Sequence, residues 1–333
     1  MIGDASLLPT HEDPTTTTPF VSVIVPTHGR AALVGRLLDS LLSQDWPVDR
    51  YEVIVVHNYT DDGTDVVVQE RIARGPVAIQ YHQTSFNGPG PSRQFGADRA
   101  RGDIVAFIDD DCIATPGWVA AGAAGIASGL ALVQGQTLPN PDQPRRLLEK
   151  TVSVTGPTPF FETCNIFYDA TVFRAVGGFP EAFRAQRSGE DTTLGWAVRR
   201  AGHRTGFSAA ALVYHEVFAV SYRQWLRETN IAAILPFVAR AYPEFRRHLF
   251  LGMFVSRVTA AFDLFVVGLL GGALLHGAFF LLCAPYVALR FVDRGRHRMP
   301  HVLLARLLFA LPRQAMTFRH LVVNSIRARS AVL

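Results

Sequence analysis

Between residues 20 and 111, short apolar, β-branched runs alternate with stretches of helical periodicity, and this alternation constrains the fold more than any other feature. FVSVIVP (20–26), closed by Pro26, reads as a buried strand. Residues 30–44 carry Leu33, Leu37, Leu38, Leu41 and Leu42 at helical spacing. A second strand is predicted over 51–58, a helix over 64–75, a third strand over 77–83 and a helix over 91–102, with Gly75 and Gly102 as helix stops. The fourth strand, DIVAFIDDD (103–111), runs into three carboxylates. Crossover helices between strands imply a mostly parallel, doubly wound α/β sheet, with ligands beyond the carboxyl ends of the strands. Those ends carry Pro26-Thr27, His57-Asn58 and Asp109-Asp110-Asp111.

Composition narrows the class. Apolar residues make up 49% of the 333 and charged residues 18%, which argues against disorder and against a nucleic-acid partner. The net charge of +4 comes almost wholly from arginine, Lys150 being the single lysine. That balance suits phosphate ligands or an anionic membrane face without establishing either. Cys112, Cys164 and Cys283 are far apart, so neither a disulfide scaffold nor a zinc site is expected. Residues 1–19 have neither a basic start nor an apolar core. They read as a disordered lead-in rather than a signal peptide, which leaves the following domain in the cytoplasm.

Three adjacent carboxylates repel one another, and burying them is costly without a cation. Oxygen ligands at one point suit Mg²⁺ or Mn²⁺; an exposed acidic turn is the alternative. A second acidic pair, Glu190-Asp191, opens a predicted helix in SGEDTTLGWAVRRAG (188–202), with Ser188 or Gly189 as its start. Acids there also suit the helix dipole.

VSVIVPTHGR, EVIVVHNYTDDGT, GPGPSRQFGADRARGDIVAFIDDDC and VFRAVGGFPEAF…SGEDTTLGWAVRRAG together resemble the family 2 glycosyltransferases of GT-A fold, over about residues 20–216. The resemblance implies a nucleotide-sugar donor, a divalent metal held through a DxD element, and displacement with inversion. It matches Asp109 and Asp111 to that element, with Asp110 between them and Asp111 as the expected direct metal ligand. It places Pro26 and Thr27 near the nucleotide, Asp62 at the later aspartate of the second-strand loop, and Arg93 near the donor diphosphate. It makes His215 a secondary metal candidate and Asn165 a polar group near the sugar, and it sets Gly177-Gly178 on the acceptor side. Where the family reads DDGSTDGT, this chain reads HNYTDDGT (57–64). Asn58 can still pair with a base through its amide, but His57 offers no carboxylate, so UDP, GDP and dTDP donors all stay open. Asp191 is then the general base that deprotonates the acceptor hydroxyl, and Glu190 positions substrate or backbone. RQWLR around Trp225 lacks the full pattern of processive synthases, which argues for single additions.

Composition shifts toward the C-terminus. Residues 264–289 contain no Asp, Glu, Lys or Arg, enough for one span. Basic flanks on both sides (Arg246, Arg247; Arg290, Arg294, Arg296, Arg298) favour a hairpin or re-entrant pair, about 249–269 and 273–292, turning at Gly271-Gly272. Arg257 and Asp263 weaken its first arm. Residues 300–329 mix aliphatics with five arginines and no acid, the pattern of a helix on an anionic membrane face or of a basic packing helix. The expected organisation is a lead-in (1–19), a GT-A catalytic domain (20–230) and a helical C-terminal region (231–333) with a transmembrane or re-entrant hairpin at about 249–292. The expected protein sits on the cytoplasmic face of the cell membrane and moves a sugar onto a lipid-linked or envelope-glycan acceptor. The rivals are a sugar-phosphate nucleotidyltransferase and a sugar-nucleotide-binding scaffold.

Overall fold

The structure is a computed structural model that describes residues 18–86, 88–180, 189–292 and 300–333, with side chains described outside 291–308. Ser188 and the predicted lead-in up to residue 17 lie outside the described residues, as do Arg294, Arg296 and Arg298.

The first half follows the predicted alternation: β1 (Val21–Thr27), α1 (Ala31–Leu41), β2 (Tyr51–Asn58), α2 (Thr64–Arg74), β3 (Ala78–Thr84), α3 (Pro89–Ala97) and β4 (Ile104–Ile108). Next come β5 (Cys112–Ala114), α4 (Trp118–Ala127), β6 (Leu132–Pro139), β7 (Glu149–Lys150), β8 (Asn165–Asp169) and α5 (Ala170–Ala175). After residue 188 follow α6 (Glu190–Arg200), β9 (Thr205–His215), β10 (Phe218–Ala219), α7 (Tyr222–Arg227), a 3-10 segment (Glu228–Ile234) and α8 (Leu235–Ala241). The eight-stranded sheet runs β3-β2-β1-β4-β8-β6-β9-β5, with β7 and β10 forming a separate ribbon.

Alternate residues of each central strand feed opposite layers. Val21, Val23 and Val25 pack with Leu37, Leu38 and Val68 under α1 and α2. Ile24 and Phe107 pack with Phe173, Phe179 and Trp196 under α5 and α6. Among the described residues four of the seven strand pairings are parallel, as expected, and the sheet is mixed because β8 and β5 run against the rest. β1 pairs in parallel with β2 and β4, but β8 runs antiparallel to both β4 and β6, and β5 antiparallel to β9. Antiparallel neighbours need no crossover helix, so the alternation rule says nothing about them.

The second layer does not stop at residue 230. Its cluster continues through Ile234, Leu235, Val238, Phe245, Leu321 and Val332, so the C-terminal helices share a core with the sheet. Beyond a 3-10 segment (Pro243–His248) lie α9 (Arg257–Leu274), a third 3-10 segment (Gly277–Cys283), α10 (Ala284–Val292) and the long α11 (Pro300–Ala328). The chain reverses at Leu275-His276, not at the predicted Gly271-Gly272. Those glycines lie inside α9, where a Cβ would come within 2.6 Å of Phe279 or Phe280. Their smallness lets the returning segment close onto α9 instead of turning the chain.

Candidate functional site

β1, β2 and β4 run in parallel, so their carboxyl ends lie along one edge of the sheet. Asp109 and Asp110 follow β4 directly, and Asp111 precedes β5. Asp110 and Asp111 are buried, while the Asp109 side chain keeps 29% exposure. Two arginines hold this cluster. Arg30, in the loop between β1 and α1, bridges Asp110 Oδ1 (2.9 Å) and Asp111 Oδ2 (2.7 Å) with one guanidinium nitrogen. Arg93, buried on α3, donates to Asp109. Burial, opposed by Arg30, pushes the Asp110 carboxyl up to about 6. Burial also raises Asp111, against the pull of His215 and Arg30.

β5 and β9 pair Cys112 with His215, which brings the histidine beside Asp111. His215 Nδ1 lies 2.8 Å from the Glu216 carbonyl oxygen and therefore carries the proton toward it, turning Nε2 to Asp111 Oδ1 at 3.4 Å. Asp111 Oδ1 is buried and has no hydrogen-bond partner among the described residues. The Cys112 thiol is near enough to be a third ligand, but burial pushes its pKa well up and it donates to the Cys164 carbonyl. It is a packing group rather than a thiolate.

Gly189, at φ 83°, ends its loop in the left-handed region and starts α6, with Glu190 and Asp191 in the first turn. Both acids gain from the helix dipole, but they do more than cap. Arg93 reaches past Asp109 to Glu190 Oε1 at 3.4 Å, so one buried guanidinium ties the end of β4 to the start of α6. The two acid clusters, 80 residues apart in sequence, therefore meet at one guanidinium. Asp191 accepts from the Thr192 amide at 2.7 Å. Burial first, and the neighbouring Glu190 charge second, push the Asp191 carboxyl up to about 7. A carboxylate at that value is matched to proton abstraction near neutral pH.

The remaining residues fall into two groups. Pro26, Thr27 and Asn58 sit at the ends of β1 and β2 on the same edge as the acids, and the His28 ring donates to the Asn58 carbonyl (2.8 Å). Asp62 braces the loop: it accepts from the Ala31 amide (3.0 Å) and the Thr64 hydroxyl (2.9 Å), and these bonds outweigh burial and hold its carboxyl below the usual range. His57 is turned inward. The Thr60 amide donates to Nε2 (3.3 Å), so Nδ1 donates to the Tyr81 hydroxyl (2.7 Å), and burial lowers its pKa and favours the neutral ring. Asn165, expected near a sugar, is spent on structure. Its amide bonds Trp118, Gln136 and Ala211 across the register shift at Gly135/Gln136. Gly177 and Gly178 turn the chain after α5 onto Gln94, and Trp225 stacks with Tyr222 and lies under the Arg313 guanidinium. Sequence reading missed Arg30. Its one signal is a cation immediately after the first strand's loop, THGR, on the edge that carries the acids.

The model of Glycosyl transferase family 2 matches residues 22–179, which hold β1 through α5 and the first acid cluster. Glycosyltransferase AglE of Haloferax volcanii is 31% identical over 175 residues, covering 50% of this chain and 58% of its own. A solved structure of the mannosyltransferase PcManGT from Pyrobaculum calidifontis, in complex with GDP-Man and Mn²⁺, aligns over 94% of this chain and 88% of its own, with a TM-score of 0.59 and 18% identity. S. aureus TarS 1–349 in complex with UDP-GlcNAc aligns over 93% and 92%, with a TM-score of 0.52 and 19% identity. The fold is GT-A, and residues 22–179 are the part of the chain that is similar to the family 2 glycosyltransferases. The chain spans about half the length of the curated relatives it matches.

Proposed function

We propose that this protein transfers a sugar, with inversion, from a nucleotide-diphosphate sugar to a hydroxyl of a lipid-linked or envelope-glycan acceptor. The observation that carries the reading is the Arg93 clamp, which brings Asp109 and Glu190 together and so sets an acid cluster fit for a cation beside a carboxyl tuned to about 7. Direct displacement needs one base on the face opposite the leaving group, and Asp191 supplies it. Glu190 raises the affinity of Asp191 for its proton by charge and is itself held by Arg93. Arg93 is thus a positioning residue here. The half-exposed Arg30 is the cation left free enough to meet a diphosphate.

The donor set fits a divalent ion. Asp111 Oδ1 and His215 Nε2 face each other at 3.4 Å, and two acceptors so placed need a proton or a metal between them. The Glu216 carbonyl orients the imidazole, as an outer-shell partner of a metal-bound histidine does. Asp111 and His215 would hold Mn²⁺ or Mg²⁺, with Asp109 at the exposed margin. Such an ion, when bound, takes up the charge that develops on the leaving diphosphate. The structural neighbour with GDP-Man and Mn²⁺ supports both donor class and ion, and the UDP-GlcNAc neighbour keeps the base open. The inward-facing His57 leaves Asn58 as the amide at the base position.

The C-terminal hairpin supports a membrane acceptor. α9 is long and apolar enough to be a candidate span, though by length and composition alone. Leu264, Leu270, Leu274, Leu275, Phe280 and Leu281 are exposed on it and on its return. From Leu264 to Leu274 a helix advances about 15 Å at ~1.5 Å per residue, roughly one leaflet of a ~30 Å hydrocarbon core. The hairpin is therefore read as dipping into one face rather than crossing. The test is a panel of UDP-, GDP- and dTDP-sugars with purified protein and Mn²⁺, scored by release of the nucleoside diphosphate. Release from one donor class, lost on chelation and in Asp191→Asn, is expected. No release from any donor, with or without a membrane extract as acceptor source, would overturn the proposal.

A further inference from the structure

A cavity of about 270 Å³, lined by none of the acids, opens between the Glu228–Ile234 segment and the far half of α11. Arg319 and Arg327, two turns apart, face it together with His320 and the buried Asn324. Asn230 and Ala233, three residues apart in a 3-10 turn, form the opposite wall. Among the described residues no carboxylate lines the cavity, and the sequence of α11 contains none. The nearest in sequence on the opposing wall, Glu228, is ion-paired to Lys150 at 3.2 Å. Among the described residues neither Arg319 nor Arg327 has an acidic partner. Two uncompensated guanidiniums around a buried amide make a small, cationic, hydrogen-bonding hollow. Its volume, at the low end for ligand sites, suits a phosphate group and its ester arms.

Its position identifies the source of that phosphate. Phe318, the residue before Arg319, packs edge-on against Phe262 of α9 at 6.1 Å, and Leu311 joins the same cluster with Tyr286. The exposed leucines of α9 begin two residues later, at Leu264. The cationic hollow thus stands beside the base of the apolar hairpin, the level at which headgroups lie when such a hairpin is inserted. We infer that the Arg319–Arg327 cavity binds the phosphate of an anionic lipid headgroup, at a site separate from the donor cleft. The phosphate chemistry rests on the cavity alone; the lipid source rests on the proposed insertion of the hairpin.

The test is co-sedimentation of the full chain with neutral phosphatidylcholine vesicles and with vesicles containing phosphatidate, alongside inorganic phosphate as competitor. Phosphatidate should tighten binding of the unaltered protein, and Arg319→Gln/Arg327→Gln should lose roughly thirty-fold of that affinity, the scale of two arginines at an anionic surface. Arg223→Gln/Arg227→Gln, which removes equal charge from α7, should lose less than threefold. Equal losses in the two double variants would reduce the effect to net charge and overturn the site. Displacement by inorganic phosphate at the concentration that phosphatidate requires would overturn the lipid source. Neutral vesicles report on the hairpin separately: Leu274→Glu/Leu275→Glu should abolish that binding, and the arginine variant should keep it. If the unaltered protein ignores neutral vesicles yet binds phosphatidate through Arg319 and Arg327, the insertion reading fails and the phosphate site stands.

Discussion

Arg93→Met removes the guanidinium that joins the two acid clusters, and the structure fixes what should follow. Arg93 and Glu190 are 5% and 4% exposed, so the substitution strands a buried carboxylate, with Asp109 less affected at 29% side-chain exposure. Removing one partner of a buried ion pair costs about 3–5 kcal/mol. The lower figure applies, because Asp109 keeps part of its hydration and Glu190 alone is stranded in full. The loss should be about 3 kcal/mol at pH 8, a fall of several degrees in Tm. Thermal unfolding followed by circular dichroism measures this. Adding Glu190→Gln to Arg93→Met should recover more than 1 kcal/mol, a coupling within the range for contacting residues. An Arg93→Met protein within 1 kcal/mol of the parent at pH 8, or a double variant with no recovery, would refute the Arg93 link between the two acid clusters.

Other outcomes follow from the same geometry. Asp191→Asn should keep donor affinity and lose ~10²-fold or more in turnover, read by single-turnover kinetics. It should also raise Tm by a few degrees at pH 8 and by less at pH 5, because a carboxyl pushed up to about 7 opposes folding progressively from its ordinary value upward, as the unfolded chain ionises first. Turnover of the unaltered protein should rise with pH through about 7 and then level, since the base works unprotonated; a profile flat from pH 5.5 to 8.5 would remove Asp191 from that role. Asp111→Asn and His215→Ala should each abolish the Mn²⁺ dependence of donor binding in calorimetry, whereas Cys112→Ala should not.

Much of the catalytic half could be read from the chain because its physics is local. β1, β2 and β4 are buried on both faces, so their sequences are continuous apolar runs, and α1 shows its leucine stripe. The apolar end of β9, ALVYH, was legible, but β5, β6 and the start of β9 were not: they interleave small and polar residues, and β6 and β9 are joined through a register shift that the Asn165 amide fills. That same packing misled the reading of Asn165, since a buried amide that satisfies backbone looks in sequence like one that satisfies a ligand. The acids stood out as clusters, yet their meeting depends on Arg93, a residue separated from its partners by 16 and 97 positions. Arg30 escaped notice because its task is set by where the loop after β1 lands. The turn at Gly271-Gly272 was misplaced because glycine permits both a turn and a close helix contact, and only the returning Phe279 and Phe280 decide between them.

The account is tested most directly by a crystal of the protein grown with Mn²⁺ and a nucleoside diphosphate, measured at the manganese absorption edge. The anomalous peak should lie between Asp111 and His215, with the terminal phosphate on the side that faces Asp191. A peak elsewhere, or a nucleotide whose phosphates point away from Asp191, would contradict it.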